Sequence, residues 1–163
     1  MEIGKRFNPR HIFFGLYIVA FLIYLTIGLQ PAEAVNSVIV SRLIIPSIGL
    51  DSDVQKVELK DHELKTPDLI VGSYSGAENK TLLIGHSSTV FLNLDNTQIN
   101  DKIFYDGKIY NVDNKETLKK EDVIMPELLG SSDRETIVIM TCAGQDLGSG
   151  DASHRLIVTA TLF

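Results

Sequence analysis

The sequence predicts an all-β domain, a barrel or a sandwich, carried outside a membrane by one N-terminal apolar helix. Three observations lead there. Residues 12–29, IFFGLYIVAFLIYLTIGL, are eighteen consecutive positions without a charge. Beyond them come seven or eight short runs rich in β-branched residues, separated by turn signals. Helical periodicity in that region is thin, with one turn expected around 89–95 and another near 122–129.

Residues 1–11 carry Lys5, Arg6 and Arg10 against Glu2, and the first cation after the apolar run is Arg42. A run of about eighteen apolar residues is near the lower length of a spanning helix and long for a signal-peptide core. The cationic flank keeps the N-terminus cytoplasmic and sends the remainder outward. The expected order is a cytoplasmic N-terminus 1–11, a transmembrane signal anchor 12–29, a linker 30–37 and one domain 38–163. In the alternative, PAEA at 31–34 offers Ala32 and Ala34 to a signal peptidase; either way the domain is exported.

Within that domain, SVIVSRLIIP at 37–46 reads as a strand stopped by proline, DSDVQKVEL at 51–59 as a second and DLIVGSY at 68–74 as a third. KTLLIGH at 80–86 has the apolar run of a buried strand. KIFYDGKIYNV at 102–112 is a hairpin, because Asp106-Gly107 separates two alternating runs and suits a tight two-residue turn. ETIVIMTC at 135–142 and RLIVTATLF at 155–163 complete the set, with AGQDLGSGDASH between them expected as a loop.

The chain of 163 residues has a net charge of −6, and the basic N-terminus leaves the acidic excess in the exported part. An acidic exterior argues against nucleic acid as a partner. Cys142 is the one cysteine, so no internal disulfide exists. It is either a buried small hydrophobe or a reactive thiol at a strand end, where side chains reach into clefts. A nucleophilic thiol needs a group that takes and returns protons, and histidine does so near neutral pH. His11 lies on the cytoplasmic side, His62 sits among charges, and His154 precedes the last strand. His86, in IGHSS, follows a buried strand as Cys142 does, and it is the candidate acid/base. Arg155 opens the last strand and is the candidate oxyanion donor, the other reading being a surface arginine.

Together these residues resemble the sortase family. TLLIGH at 81–86 is similar to its histidine motif, IVIMTC at 137–142 to its cysteine motif, HRLIV at 154–158 to its arginine strand, and RLIIPSIGLDSDV at 42–54 to its first strands. The cysteine motif matches only at Thr141 and Cys142, its upstream positions being strand packing residues. The resemblance implies a closed eight-stranded sortase-type β-barrel and cysteine transpeptidation. Cys142 would attack an LPxTG-like sorting signal of a secreted protein, His86 would move the protons, and Arg155 would steady peptide and oxyanion. A cell-wall precursor or pilin amine would resolve the thioacyl intermediate. Against this stand a cysteine hydrolase, in which water resolves the thioester, and a non-catalytic membrane-tethered binding domain. No cofactor is expected. Calcium at Glu116, Glu121 and Asp122, in one expected loop, is the weaker reading beside a solvated charge run, and zinc spacing is absent.

Overall fold

Alternation of apolar residues along each strand builds two separate apolar layers, and the division between them locates the site. The structure, a computed structural model, describes residues 39–60, 63–148 and 151–163. The expected anchor at 12–29, with His11 and His62, lies outside the described residues. Among the described residues no helix is long and apolar enough to cross a membrane.

Within the described residues ten strands follow in chain order: β1 (Ile39–Ile45), β2 (Leu50–Lys56), β3 (Leu59–Lys60), β4 (Glu63–Leu64), β5 (Val71–Ser75), β6 (Lys80–Ile84), β7 (Lys102–Tyr105), β8 (Lys108–Lys119), β9 (Thr136–Gly148) and β10 (Asp151–Leu162). Eight of them close a barrel in the order β1-β2-β5-β6-β9-β10-β8-β7, and β3 and β4 form a separate two-stranded hairpin. The barrel closes where Leu43 and Ile44 of β1 pair with Tyr105 and Phe104 of β7. Among the described residues helical structure is limited to short 3₁₀ turns at Pro46–Ile48, Leu94–Asn96 and Lys120–Asp122, and one α-helix, α1 (Met125–Leu129).

The barrel thus has the eight strands that were expected, but several limits move. The second strand ends at Lys56 rather than residue 59, and the chain turns into the β3–β4 hairpin. β8 runs to Lys119, and the segment expected as a loop between residues 142 and 155 is mostly strand, because β9 and β10 continue as a ladder beyond the barrel wall. That ribbon carries small and polar residues, and it has no core to imprint an apolar alternation on its sequence. Glu116 therefore lies within β8, opposite Ile157, while Glu121 and Asp122 sit in the following turn.

All eight barrel strands contribute to one buried cluster, including Leu43, Val54, Leu83, Ile103, Ile139 and Val158, and this is the barrel interior. The intervening residues Leu82, Ile84, Val138 and Ile157 form a second cluster on the opposite face of the sheet. Leu64 of β4 and Met125, Leu128 and Leu129 of α1 cover that outer face. Backbone bonds fix α1 there: Ala77 N–H donates to Leu129 O at 2.7 Å, and Lys80 Nζ reaches Glu127 O at 3.1 Å.

Candidate active site

Side chains alternate between the two faces of a strand, so the residues that follow the outer layer in sequence emerge on the same side. On β9, Val138 and Met140 lead to Cys142; on β10, Ile157 leads back to Arg155; on β6, Leu82 and Ile84 lead to His86. In the antiparallel β9–β10 ladder Arg155 stands directly opposite Cys142. β6 runs parallel to β9 with Ile84 beside Met140, and two further residues along each chain bring His86 level with Cys142. The three expected site residues therefore meet in one cleft of about 730 Å³. Its floor is Ile84 and Met140, and its walls are Leu59 and Leu64 on one side and Met125 and Leu129 on the other. Cys142 is half-buried and unpaired.

Two positions fix the backbone of this site. Thr141 is buried, and its Oγ1 donates to Gly85 O at 2.8 Å, joining the residue before the cysteine to the residue before the histidine. Gly85 itself has no room for a side chain: a Cβ there would lie 2.5 Å from Val90 Cγ1 and 2.8 Å from the Phe91 ring. Phe91 is buried, and its N–H, at 3.0 Å, and that of Thr89, at 3.3 Å, both donate to His86 O. The histidine backbone is thus held by the barrel core on one side and by its own turn on the other.

Arg155 is not a loose surface arginine; its side chain is 15% exposed. Its Nη1 donates to Ala152 O and His154 O, each at 2.9 Å, and its Nη2 donates to Asp151 Oδ1 at 2.8 Å. The other carboxylate oxygen of Asp151 accepts from Lys120 Nζ. The Lys120 ammonium first, then the Arg155 guanidinium and the Ala152 N–H, hold the Asp151 carboxyl well below the usual carboxylate range. Asp151 also lines the cleft. In the sequence Asp151 lies inside a glycine-rich stretch expected as a loop, and its spacing of four residues before Arg155 is the one signal there.

His154 lies apart from the cleft. Its Nδ1 is 2.7 Å from Ser153 Oγ, and it borders a different cavity with Lys119 and Lys120. Glu116, Glu121 and Asp122 do not converge: among the described residues no three His, Cys, Asp or Glu side chains are grouped to hold a metal ion. Glu121 instead faces Lys119 at 3.9 Å.

A closed eight-stranded barrel with an unpaired thiol, a histidine and an arginine on one outer cleft defines a class of thiol-bearing barrel proteins. The chain belongs to the sortase family: the family model for the Sortase domain matches residues 43–163. Among solved structures it is similar to sortase A from Corynebacterium diphtheriae, at 23% identity and a TM-score of 0.62, covering 100% of this chain and 72% of that one. It is also similar to sortase A of Listeria monocytogenes, at 16% identity and a TM-score of 0.60, covering 77% of this chain and 87% of that one. A sortase D5 transpeptidase of Clostridium perfringens gives 22% identity and a TM-score of 0.58, covering 76% and 78% of the respective chains. At these identities the likeness speaks to the fold. A comparison with curated protein sequences gives no match.

Proposed function

We propose that this sortase is a membrane-anchored cysteine transpeptidase that cleaves an LPxTG-like sorting signal near the C-terminus of secreted proteins and joins the product to a cell-wall or pilin amine. The observation that carries the reading is the convergence of Cys142, His86 and Arg155 on one cleft whose remaining lining is largely apolar. An apolar trough accepts the leucine and proline of such a signal, and the thiol at its end meets the threonyl carbonyl. The Cys142 sulfur bonds to that carbon as its proton passes to His86. The tetrahedral oxyanion then collapses, the C–N bond to glycine breaks, and His86 protonates the leaving amine. The incoming amine attacks the thioester, gives its proton to His86, and Cys142 leaves as the thiol. Arg155 donates to the oxygen on which charge develops. The apolar run 12–29 and its cationic flank support an anchor with the catalytic domain outside the cell.

The test is turnover of an LPxTG-type peptide with and without an amine acceptor, together with mass analysis of the enzyme. The parent should form a thioacyl adduct on Cys142 and release an amine-joined product. Cys142→Ala should do neither, since the chain has no other thiol. His86→Ala should lose about 10²–10⁴ in rate, the usual share of a general acid–base, while His62→Ala should stay near the parent. Product released only by water, whatever amine is present, would instead favour the hydrolase.

A further inference from the structure

The Arg155 guanidinium is held in an ionic arrangement with Asp151 and Lys120, two residues that the reaction just described does not use. β10 supplies Asp151 and Arg155, and the 3₁₀ turn after β8 supplies Lys120. Both oxygens of Asp151 are engaged, Oδ1 by Arg155 Nη2 at 2.8 Å and by the Ala152 N–H at 2.9 Å, and Oδ2 by Lys120 Nζ. We infer that Asp151, backed by Lys120, is the positioning residue that fixes the Arg155 fork toward Cys142.

The donor inventory supports this. A guanidinium has five N–H groups in a rigid plane. Three are committed, to Ala152 O, His154 O and Asp151 Oδ1. Among the described residues the Nε–H and the second Nη2 hydrogen meet no acceptor, so two donors on one edge of the plane remain for a substrate. Held this way, the arginine has already lost the rotamer freedom that a long side chain would otherwise lose on binding. Charge points the same way. A carboxylate beside an oxyanion donor would weaken its pull, and the Lys120 ammonium on the far oxygen offsets this, leaving the trio with one net positive charge. Ladder pairing alone does not do this work, since it fixes the Arg155 backbone opposite Cys142 and leaves the side-chain torsions free.

This inference rests on the transpeptidase reading for its kinetic consequence but not for its geometry, and the experiment separates the two. The first arm, on the full chain, is ¹⁵N–¹H spectroscopy of the Arg155 guanidinium in the parent, Asp151→Ala, Asp151→Asn and Lys120→Met. The parent should show separate Nη signals from hindered rotation. Asp151→Ala should average them, and Asp151→Asn, which keeps one acceptor, should fall between. The second arm is peptide transfer. Asp151→Ala should lower kcat by up to about 100-fold, the scale of a misplaced catalytic group, with a smaller change in KM. In an Arg155→Ala background the same change should have no further effect. Thermal unfolding checks that each variant is folded, and Lys120→Met probes the brace from a second element if Asp151→Ala is not. Arg155 signals indifferent to both substitutions, or an Asp151→Ala loss that persists undiminished without Arg155, would overturn the inference. A parent that transfers no peptide while Arg155 still loosens in Asp151→Ala would remove the transpeptidase reading and leave the brace standing.

Discussion

Arg155 is the residue on which the site reading is most exposed. A surface arginine at a strand edge contributes a few tenths of a kcal/mol, about the ordinary range for such positions. An oxyanion donor is worth about 10²–10³ in kcat. With its side chain 15% exposed and three hydrogen bonds already made, Arg155 has the fixed geometry that a donor needs. Lysine keeps the charge but loses the planar fork that can face these acceptors and a substrate at once. Arg155→Lys should therefore be severely impaired and Arg155→Ala more so, in single-turnover acylation of Cys142. A folded Arg155→Ala protein within about threefold of the parent rate would exclude Arg155 from the site, since that is far below the loss of an oxyanion donor.

Between the elements β6 and β9 the decisive contact is a missing side chain. Gly85 lets the chain pass against Val90 and Phe91, and its carbonyl takes the Thr141 hydroxyl. Gly85→Ala forces a methyl to within 2.5 Å of Val90 Cγ1, so the end of β6 must move away from β9. Overpacking of this kind costs about 1–3 kcal/mol. The shift also carries His86 away from Cys142. The expected result is a lowered Tm together with a loss of turnover larger than the stability change explains. Gly85→Ala with parental kinetics would show that the close approach does not position the histidine. The β7–β8 hairpin makes a contrasting case, because its turn is local: Asp106 and Gly107 have φ of 51° and 73°, the pair of positive values that such a two-residue turn requires.

Across the whole molecule, the barrel brings together residues from Leu59 to Arg155 in one cleft, so that the site depends on closure of the entire domain. The start of β9 is tied to its neighbours at the end remote from the cleft. Tyr110 OH and Lys108 Nζ both donate to Glu135 Oε1 at 2.7 Å, and Arg134 Nη2 donates to Leu162 O at 2.5 Å. The proposed N-terminal anchor makes a prediction at this scale. The intact chain should pellet with membranes and expose residues 35–163 to protease from the outside, because of the uncharged run 12–29 and the Lys5, Arg6 and Arg10 cluster. N-terminal sequencing decides the alternative: a mature protein beginning at Val35 on most molecules would mean cleavage after Ala34 and no retained anchor.

Much of this was legible in the sequence because it is written locally. The β-branched runs, the Asp106-Gly107 turn, and the apolar runs that lead to His86 after β6 and to Cys142 within β9 depend on neighbours a few positions away, where period and turn chemistry leave a direct trace. Tertiary structure decided what depends on pairing. The extension of β9 and β10 beyond residue 142 was hidden because a ribbon off the barrel has no buried face to pattern it. The β3–β4 hairpin and α1, which wall the cleft, are too short to show a period. Asp151 read as one more polar residue between glycines, since its role comes from Lys120 on another strand's end and from Arg155 turned toward the same cleft. Sequence thus determined which candidate groups the chain carries and which strands bear or precede them, while the closing of the barrel decided which of those groups meet, because register across strands is set by long-range packing rather than by any one segment.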